Sequence, residues 1–226
     1  MKPQNIRPLS KRTIFAMVLI YISVYLTAQT GQFSNLPQYL YPDFSMSVVK
    51  LKAGTSITTL LNYNTVTEKM TFYRNGSLMN LEKPETVDTI FMKDKKFVFI
   101  ENAFYEILVS APVSSFIQYK GVLSSVEKPA AYGASSQTAS STSISKIYSD
   151  QTYNLKLPDN LKVTPEQDFW IRKDNVMYKF TTEHQFLKIF PANENEIKAF
   201  IKKSNINIKD PVGLIKLVNY CNELLR

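Results

Sequence analysis

Apolar residues recur along this chain with three successive periods, and each period predicts a different kind of element. Thr13 to Ala28 is a run of 16 almost wholly apolar residues, TIFAMVLIYISVYLTA. From Ser47 to Phe180, short runs rich in aromatic and β-branched residues alternate with turn signals, which is strand chemistry. Beyond Phe180 the apolar positions fall three and four apart, the spacing of one helix face.

The strand region reads as follows. Ser47–Leu51 precedes an Ala53-Gly54 turn, and Ser56–Tyr63 comes next. Glu68–Tyr73 and Ser77–Leu81 flank Asn75-Gly76, the pair that supplies the positive φ angles of a tight hairpin. Val87–Met92 and Lys96–Ile100 flank a Lys-Asp-Lys turn. Ala103–Val109 follows Glu101-Asn102, and Val113–Gly121 follows Pro112. Loops this short leave no room for crossover helices, so neighbouring strands are expected antiparallel, in a meander. Residues 124–145 break the pattern: rich in Ser, Thr and Ala, they predict a long flexible surface loop. Strands are expected again at Ile144–Tyr148, Tyr153–Leu157, Gln167–Lys173 and Asn175–Phe180, the last two joined at Asp174-Asn175.

The helical part covers 182–226. Thr182 with Gln185, and Asn193 with Glu196, have the spacing of capping boxes. Asp210-Pro211 pairs an N-cap with a first-turn proline. Leu214, Leu217, Val218, Cys221, Leu224 and Leu225 form one apolar stripe. The expected fold class is therefore α+β and β-rich. About ten antiparallel strands, in a sheet with room to curve, carry two or three short C-terminal amphipathic helices.

The first apolar run is different in kind. Lys2, Arg7, Lys11 and Arg12 precede it, no acid interrupts it, and polarity returns at Gln29. A basic start, a short apolar stretch and a small-residue end predict a cleaved secretory signal over 1–28. Sixteen residues are short of the roughly 20 that a spanning helix needs. The mature chain, 29–226, is then expected to be one domain without a transmembrane span. Export also changes the meaning of the charge. Four of the 27 basic residues lie in the signal, leaving 23 against 19 acids, and the lysines are scattered. Nucleic-acid binding is not expected, because it asks for a clustered basic patch. The mild positive balance is compatible with peripheral association at an anionic envelope surface.

Little equipment for catalysis is present. His184 is the only histidine, which excludes multi-histidine metal sites. No Gly-x-Ser-x-Gly elbow accompanies it. With six glycines the chain has no phosphate-cradling loop. The acid pairs Glu82/Glu85 and Glu194/Glu196 fall in a turn and at a helix start, where solvation and capping explain them. Cys221 stands alone and cannot form an internal disulfide. No metal or cofactor is expected, and no catalytic residue is assigned.

Two kinds of site remain. Aromatic faces stack on sugars or seat apolar groups, and Tyr63, Tyr105, Tyr119 and Trp170 are the candidates for an exposed platform. Asp88-Thr89-Ile90 has the form of a periplasmic O-glycosylation site, with Thr89 as acceptor. The chain also carries YLYPDF (Tyr39–Phe44), LNYN (Leu61–Asn64), KMTF (Lys69–Phe72), FYEIL (Phe104–Leu108), QYKG (Gln118–Gly121), YGASSQT (Tyr132–Thr138), KIFP (Lys188–Pro191) and LVNYC (Leu217–Cys221). In this order they resemble a family of uncharacterised exported proteins of Bacteroidota bacteria. That resemblance implies a periplasmic or outer-membrane-associated location and brings no catalytic residues. The expectation is an exported envelope accessory protein, not an enzyme, that binds another envelope protein or complex. The alternatives are a lipid or lipoprotein carrier with an apolar concave face, and a carbohydrate-active hydrolase with a carboxylate site.

Overall fold

The computed structural model of the protein describes residues 35–74, 77–125, 157 and 161–226. The expected signal over 1–28, the Asn75-Gly76 pair, most of the 124–145 segment and the strands expected at Ile144–Tyr148 and Tyr153–Leu157 lie outside the described residues, apart from buried Leu157.

Among the described residues ten strands form one antiparallel sheet: β1 (Ser45–Leu51), β2 (Ser56–Asn64), β3 (Lys69–Arg74), β4 (Ser77–Asn80), β5 (Val87–Met92), β6 (Lys95–Ile100), β7 (Ala103–Val109), β8 (Ser114–Ser125), β9 (Leu161–Lys173) and β10 (Val176–Phe180). Three helices close the chain: α1 (Glu183–Leu187), α2 (Glu194–Lys203) and α3 (Pro211–Leu224). The β-rich α+β class is as the hydrophobic pattern predicts.

The strand order is not a simple meander. It runs β10-β9-β8-β7-β6-β5-β1-β2-β3-β4, so the chain returns from edge strand β4 to pair β5 with β1. The return passes through the 3-10 turn Pro84–Thr86, where Lys52 N–H donates to Thr86 C=O. Hairpin length says that neighbours are antiparallel. It does not say which side of β1 the chain takes after β4.

Local chemistry explains most boundaries. Asp174 and Asn175 both have positive φ, 52° and 62°, as a two-residue hairpin requires. Two strands run further than their propensities suggest: β8 continues through Ser125, and β9 begins at Leu161 and includes Pro165. Pro165 is tolerated because its partner is Gly121, whose N–H donates instead to Thr65 C=O on the far side, at 2.8 Å. The pair asks no N–H of the proline.

That same bond shows how strongly the sheet curls. Tyr63 on β2 donates from its hydroxyl to Tyr119 C=O on β8, and Gln118 Nε2 donates to Glu68 just before β3. These contacts bridge strands far apart in the sheet order, yet among the described residues no ladder completes a barrel. They form a seam. Residues 38–40 run along it, with Leu40 N–H donating to Tyr63 C=O and Thr65 N–H to Gln38 C=O.

The concave face is filled. Val49, Leu61, Tyr63, Met70, Ile90, Phe97, Ile117 and Ile171 of the sheet pack in one cluster with Phe186, Leu187, Ile197, Ile201, Leu214, Leu217, Val218 and Cys221 of the helices. Thr182 caps α1, its hydroxyl accepting from Gln185 N–H, although Gln185 reaches back to Thr181 N–H rather than to Thr182. Asp210 caps α3 through Gly213 N–H at 2.9 Å. The second capping box does not form. Asn193 already belongs to the 3-10 turn Pro191–Asn193, so its backbone is not extended and its side chain makes no cap bond. The α3 stripe also ends early, since Leu224 is half-buried and Leu225 exposed. Its last buried position is Asn222. This side chain accepts from Val113 N–H and donates to Val113 C=O at 2.9 and 2.8 Å, tying α3 to the start of β8.

Candidate functional site

The four aromatic candidates do not form an exposed platform. Tyr63 is fully buried, Tyr105 and Tyr119 nearly so, and only Trp170 keeps partial exposure. Strand alternation divides them between the two faces. Tyr63 and Tyr119 point into the concave core, while Tyr105 and Trp170 lie on the outer face. Aromatic richness was core chemistry at Tyr63 and Tyr119, which a count of rings along the sequence does not reveal.

Tyr119 belongs to a buried polar network. Its hydroxyl donates to Glu106 Oε2, and Lys95 Nζ donates to both Glu106 oxygens at 2.9 Å. The ammonium of Lys95 also lies 5.6 Å from the Tyr119 ring centre. Burial first, and then the Glu106 carboxylate, hold the Tyr119 hydroxyl far above the usual tyrosine range. It is a hydrogen-bond donor and not a base. Burial does the same to Tyr63, with the charge of Glu68 adding to it. Lys95 was expected in a turn. It opens β6 instead, and the pleat turns its side chain inward to Glu106.

The outer face is the more unusual surface. An antiparallel sheet packed on one face ordinarily shows polar side chains on the other. Here Val48 stands opposite Phe91, Val98 opposite Tyr105, and Phe116 opposite both Ile107 and Trp170. Ala103, Tyr105 and Phe116 form a buried cluster with Val98, Ile100, Ile107, Trp170 and Met177 against it. Tyr105 meets Trp170 edge to face at 5.7 Å, and the Arg172 guanidinium lies 5.4 Å from the Phe116 ring centre. At the β1–β5 end the apolar side chains are bare: Met46 is 63% exposed, Phe91 39% and Val48 37%. Trp170 Nε1 is buried and meets no acceptor among the described residues. Among the described residues no strand pairs with the outer edge of β10, where Val176 and Tyr178 are also exposed.

A slot of about 200 Å³ is cut into this face, with Val98, Ile100, Ile107 and Phe116 among its apolar walls and Lys52, Asp88 and Arg172 as its charged groups. A second cleft, of about 510 Å³, opens at the seam between residues 37–40, Thr65, Tyr119-Lys120 and residues 165–167. Among the described residues Glu166 is the single carboxylate in its lining, and none of them supplies the second acid of a glycosidase pair there. Neither cleft is a continuous apolar cavity, and among the described residues no cluster of His, Cys, Asp and Glu could hold a metal ion.

Asp168 organises the outer face of β8, β9 and β10. It bridges Lys179 at 2.7 Å and Lys120 at 3.0 Å. Burial works against its charge, but the hydrogen bonds and attraction of Lys179 and Lys120 outweigh it, and its carboxyl titrates below the ordinary value. A carboxyl depressed in the folded state contributes stability that is complete above its unfolded value and lost as pH falls through the folded one. Asp168→Asn is therefore expected to lower stability near neutral pH and to converge with the parent protein in acid. A denaturant titration series across pH checks this, and a gap that stays constant into the acid range refutes it.

The remaining sequence candidates are placed as follows. His184 is exposed in the first turn of α1. Thr89 is half-buried on β5, opposite Lys50, with its hydroxyl donating to Asp88. Glu82 and Glu85 are exposed around the Pro84–Thr86 turn. Cys221 is fully buried between α3 and the sheet, and burial pushes its thiol up to about 12. The native protein is expected to resist Ellman's reagent at mildly alkaline pH, while the urea-unfolded protein reacts at once. Rapid labelling of the folded protein would show that the thiol is accessible.

Comparison with known proteins finds no matching family model, no matching curated protein and no matching solved structure. Among the described residues no helix is long and apolar enough to cross a membrane.

Proposed function

We propose that this chain is an exported envelope accessory protein, without catalytic activity, that docks onto another envelope protein through the outer face of its sheet. The observation that carries this reading is the apolar outer face: Met46, Val48 and Phe91 bare at one end, continuing into the Val98–Tyr105–Phe116–Trp170 cluster. Apolar groups facing water on a sheet whose other face is already packed mark an interaction surface. The open β10 edge adds backbone groups that a partner strand can pair with. The signal-like start of the chain and its resemblance to exported proteins of Bacteroidota support the location.

The concave face favours docking over carriage. A lipid carrier needs that face hollow, and here Phe186, Leu214, Leu217 and Val218 fill it. The test is affinity capture of the tagged mature protein from native membranes, with mass spectrometry of both protein and lipid, run beside a Met46→Asp/Phe91→Asp variant. The reading expects one stoichiometric envelope protein that the variant loses. Bound lipid without a protein partner, or a partner held equally by the variant, overturns it.

A further inference from the structure

The slot in the outer face has a composition that specifies what docks there. We propose that it is an anchor pocket that takes one apolar side chain from an acidic stretch of a protein partner. This deepens the docking reading and rests on it.

Size is the first argument. At about 200 Å³ the slot is smaller than small-molecule pockets, which run to roughly 300–1,000 Å³. It does not enclose a lipid or a drug-sized ligand. It does match one Leu, Ile or Phe side chain, and anchors of this kind dominate interface energetics. Val98, Ile100, Ile107 and Phe116 give such a side chain an apolar seat, while Ser110, Ser114 and the charged groups make up the polar part of the lining.

Charge is the second argument. Lys52 and Arg172 stand at the slot, and Lys50 and Lys96 lie on the same face. The carboxylates nearby are already engaged. Asp88 is 3.7 Å from Lys50, and Asp168 is shared by Lys120 and Lys179. Among the described residues Arg172 meets no carboxylate. Its guanidinium is held over the Phe116 ring, which is both apolar wall and support. A partner carboxylate one or two residues from the anchor would find that fork preset for paired hydrogen bonds. A basic partner would meet like charges across the face.

The experiment is selection of random short peptides, displayed on phage, against the purified protein. Binding is then measured through the emission of Trp170, the only tryptophan in the chain. The expected winners combine Leu, Ile or Phe with neighbouring Asp or Glu. Lys52→Glu/Arg172→Glu should weaken them at least about tenfold, as loss of charge-assisted contacts does. Lys52→Glu alone, at an exposed position, should give a smaller loss in the same direction and guards against misfolding of the double variant. Peptides that are basic or uncharged overturn the proposal, as does binding indifferent to both variants, or no selection at all. Equal charge-dependent binding to phosphatidylglycerol vesicles would assign the face to a lipid surface and overturn it too. Failure here with a partner still captured from membranes, and still lost by Met46→Asp/Phe91→Asp, would remove the anchor pocket and leave the docking reading in place.

Discussion

Replacing Lys95 by Met is expected to cost about 3–5 kcal/mol, because it leaves the Glu106 carboxylate buried without its cation. Lys95 and Glu106 are 24% and 8% exposed, so solvent cannot substitute for the lost partner. Tyr119 still donates to Glu106, but one neutral donor does not neutralise a charge. For a domain of this size the loss corresponds to roughly a 10 °C fall in melting temperature. Thermal unfolding followed by circular dichroism measures it. The double variant Lys95→Met/Glu106→Gln should recover most of the loss, because a neutral amide accepts from Tyr119 without needing a counter-charge. An unchanged melting temperature in the single variant would mean that the pair is dispensable, and that water or another group reaches Glu106.

Gly121→Val is expected to destabilise by about 3 kcal/mol, the upper part of the range for overpacking a filled site. A Cβ here would lie 2.5 Å from Thr65 Oγ1 and 2.9 Å from the Cγ atoms of Val66 and Val163. Thr65 cannot easily turn away, since its hydroxyl donates to Gln38 C=O. The damage should concentrate at the seam. Hydrogen exchange is expected to show faster exchange at Thr65 and at position 121, with the α3 amides less affected. A uniform change across the sheet would indicate that the seam and the rest of the sheet open together. Gly121→Ala/Thr65→Ala should recover part of the loss, because it removes the closest contact.

Parts of this architecture are written in local chemistry. The Asp174-Asn175 turn and the Thr182 and Asp210 caps follow from residues within a few positions of one another. So does the buried stripe Leu214, Leu217, Val218 and Cys221. The Asn193 cap failed for a local reason, the 3-10 turn Pro191–Asn193, but at three other places long-range partners decided the outcome. Pro165 reads as a strand breaker until Gly121 sends its N–H to Thr65. Asn222 reads as a polar gap in a helix until Val113 arrives with an unmet N–H and C=O. Tyr63 and Tyr119 read as stacking surfaces until the curled sheet brings β2 against β8.

The candidate site was still less legible. Val48, Phe91, Val98, Ile107, Phe116 and Arg172 come from six strands and lie up to 124 positions apart in the chain. Nothing local marks them as one surface, because each alternates along its own strand as any sheet residue does.

By itself, the sequence determined the β-rich α+β class, most strand positions and the helical C-terminal part. Each depends on residue type or on short-range spacing. The tertiary structure decided that β5 returns to β1, that the sheet curls until its seam closes on Gly121, and that the helices fill the concave face. It also decided that a row of apolar side chains is left outside. Those outcomes depend on which strand pairs with which, and pairing is set by the burial of whole faces, a quantity that no single segment contains.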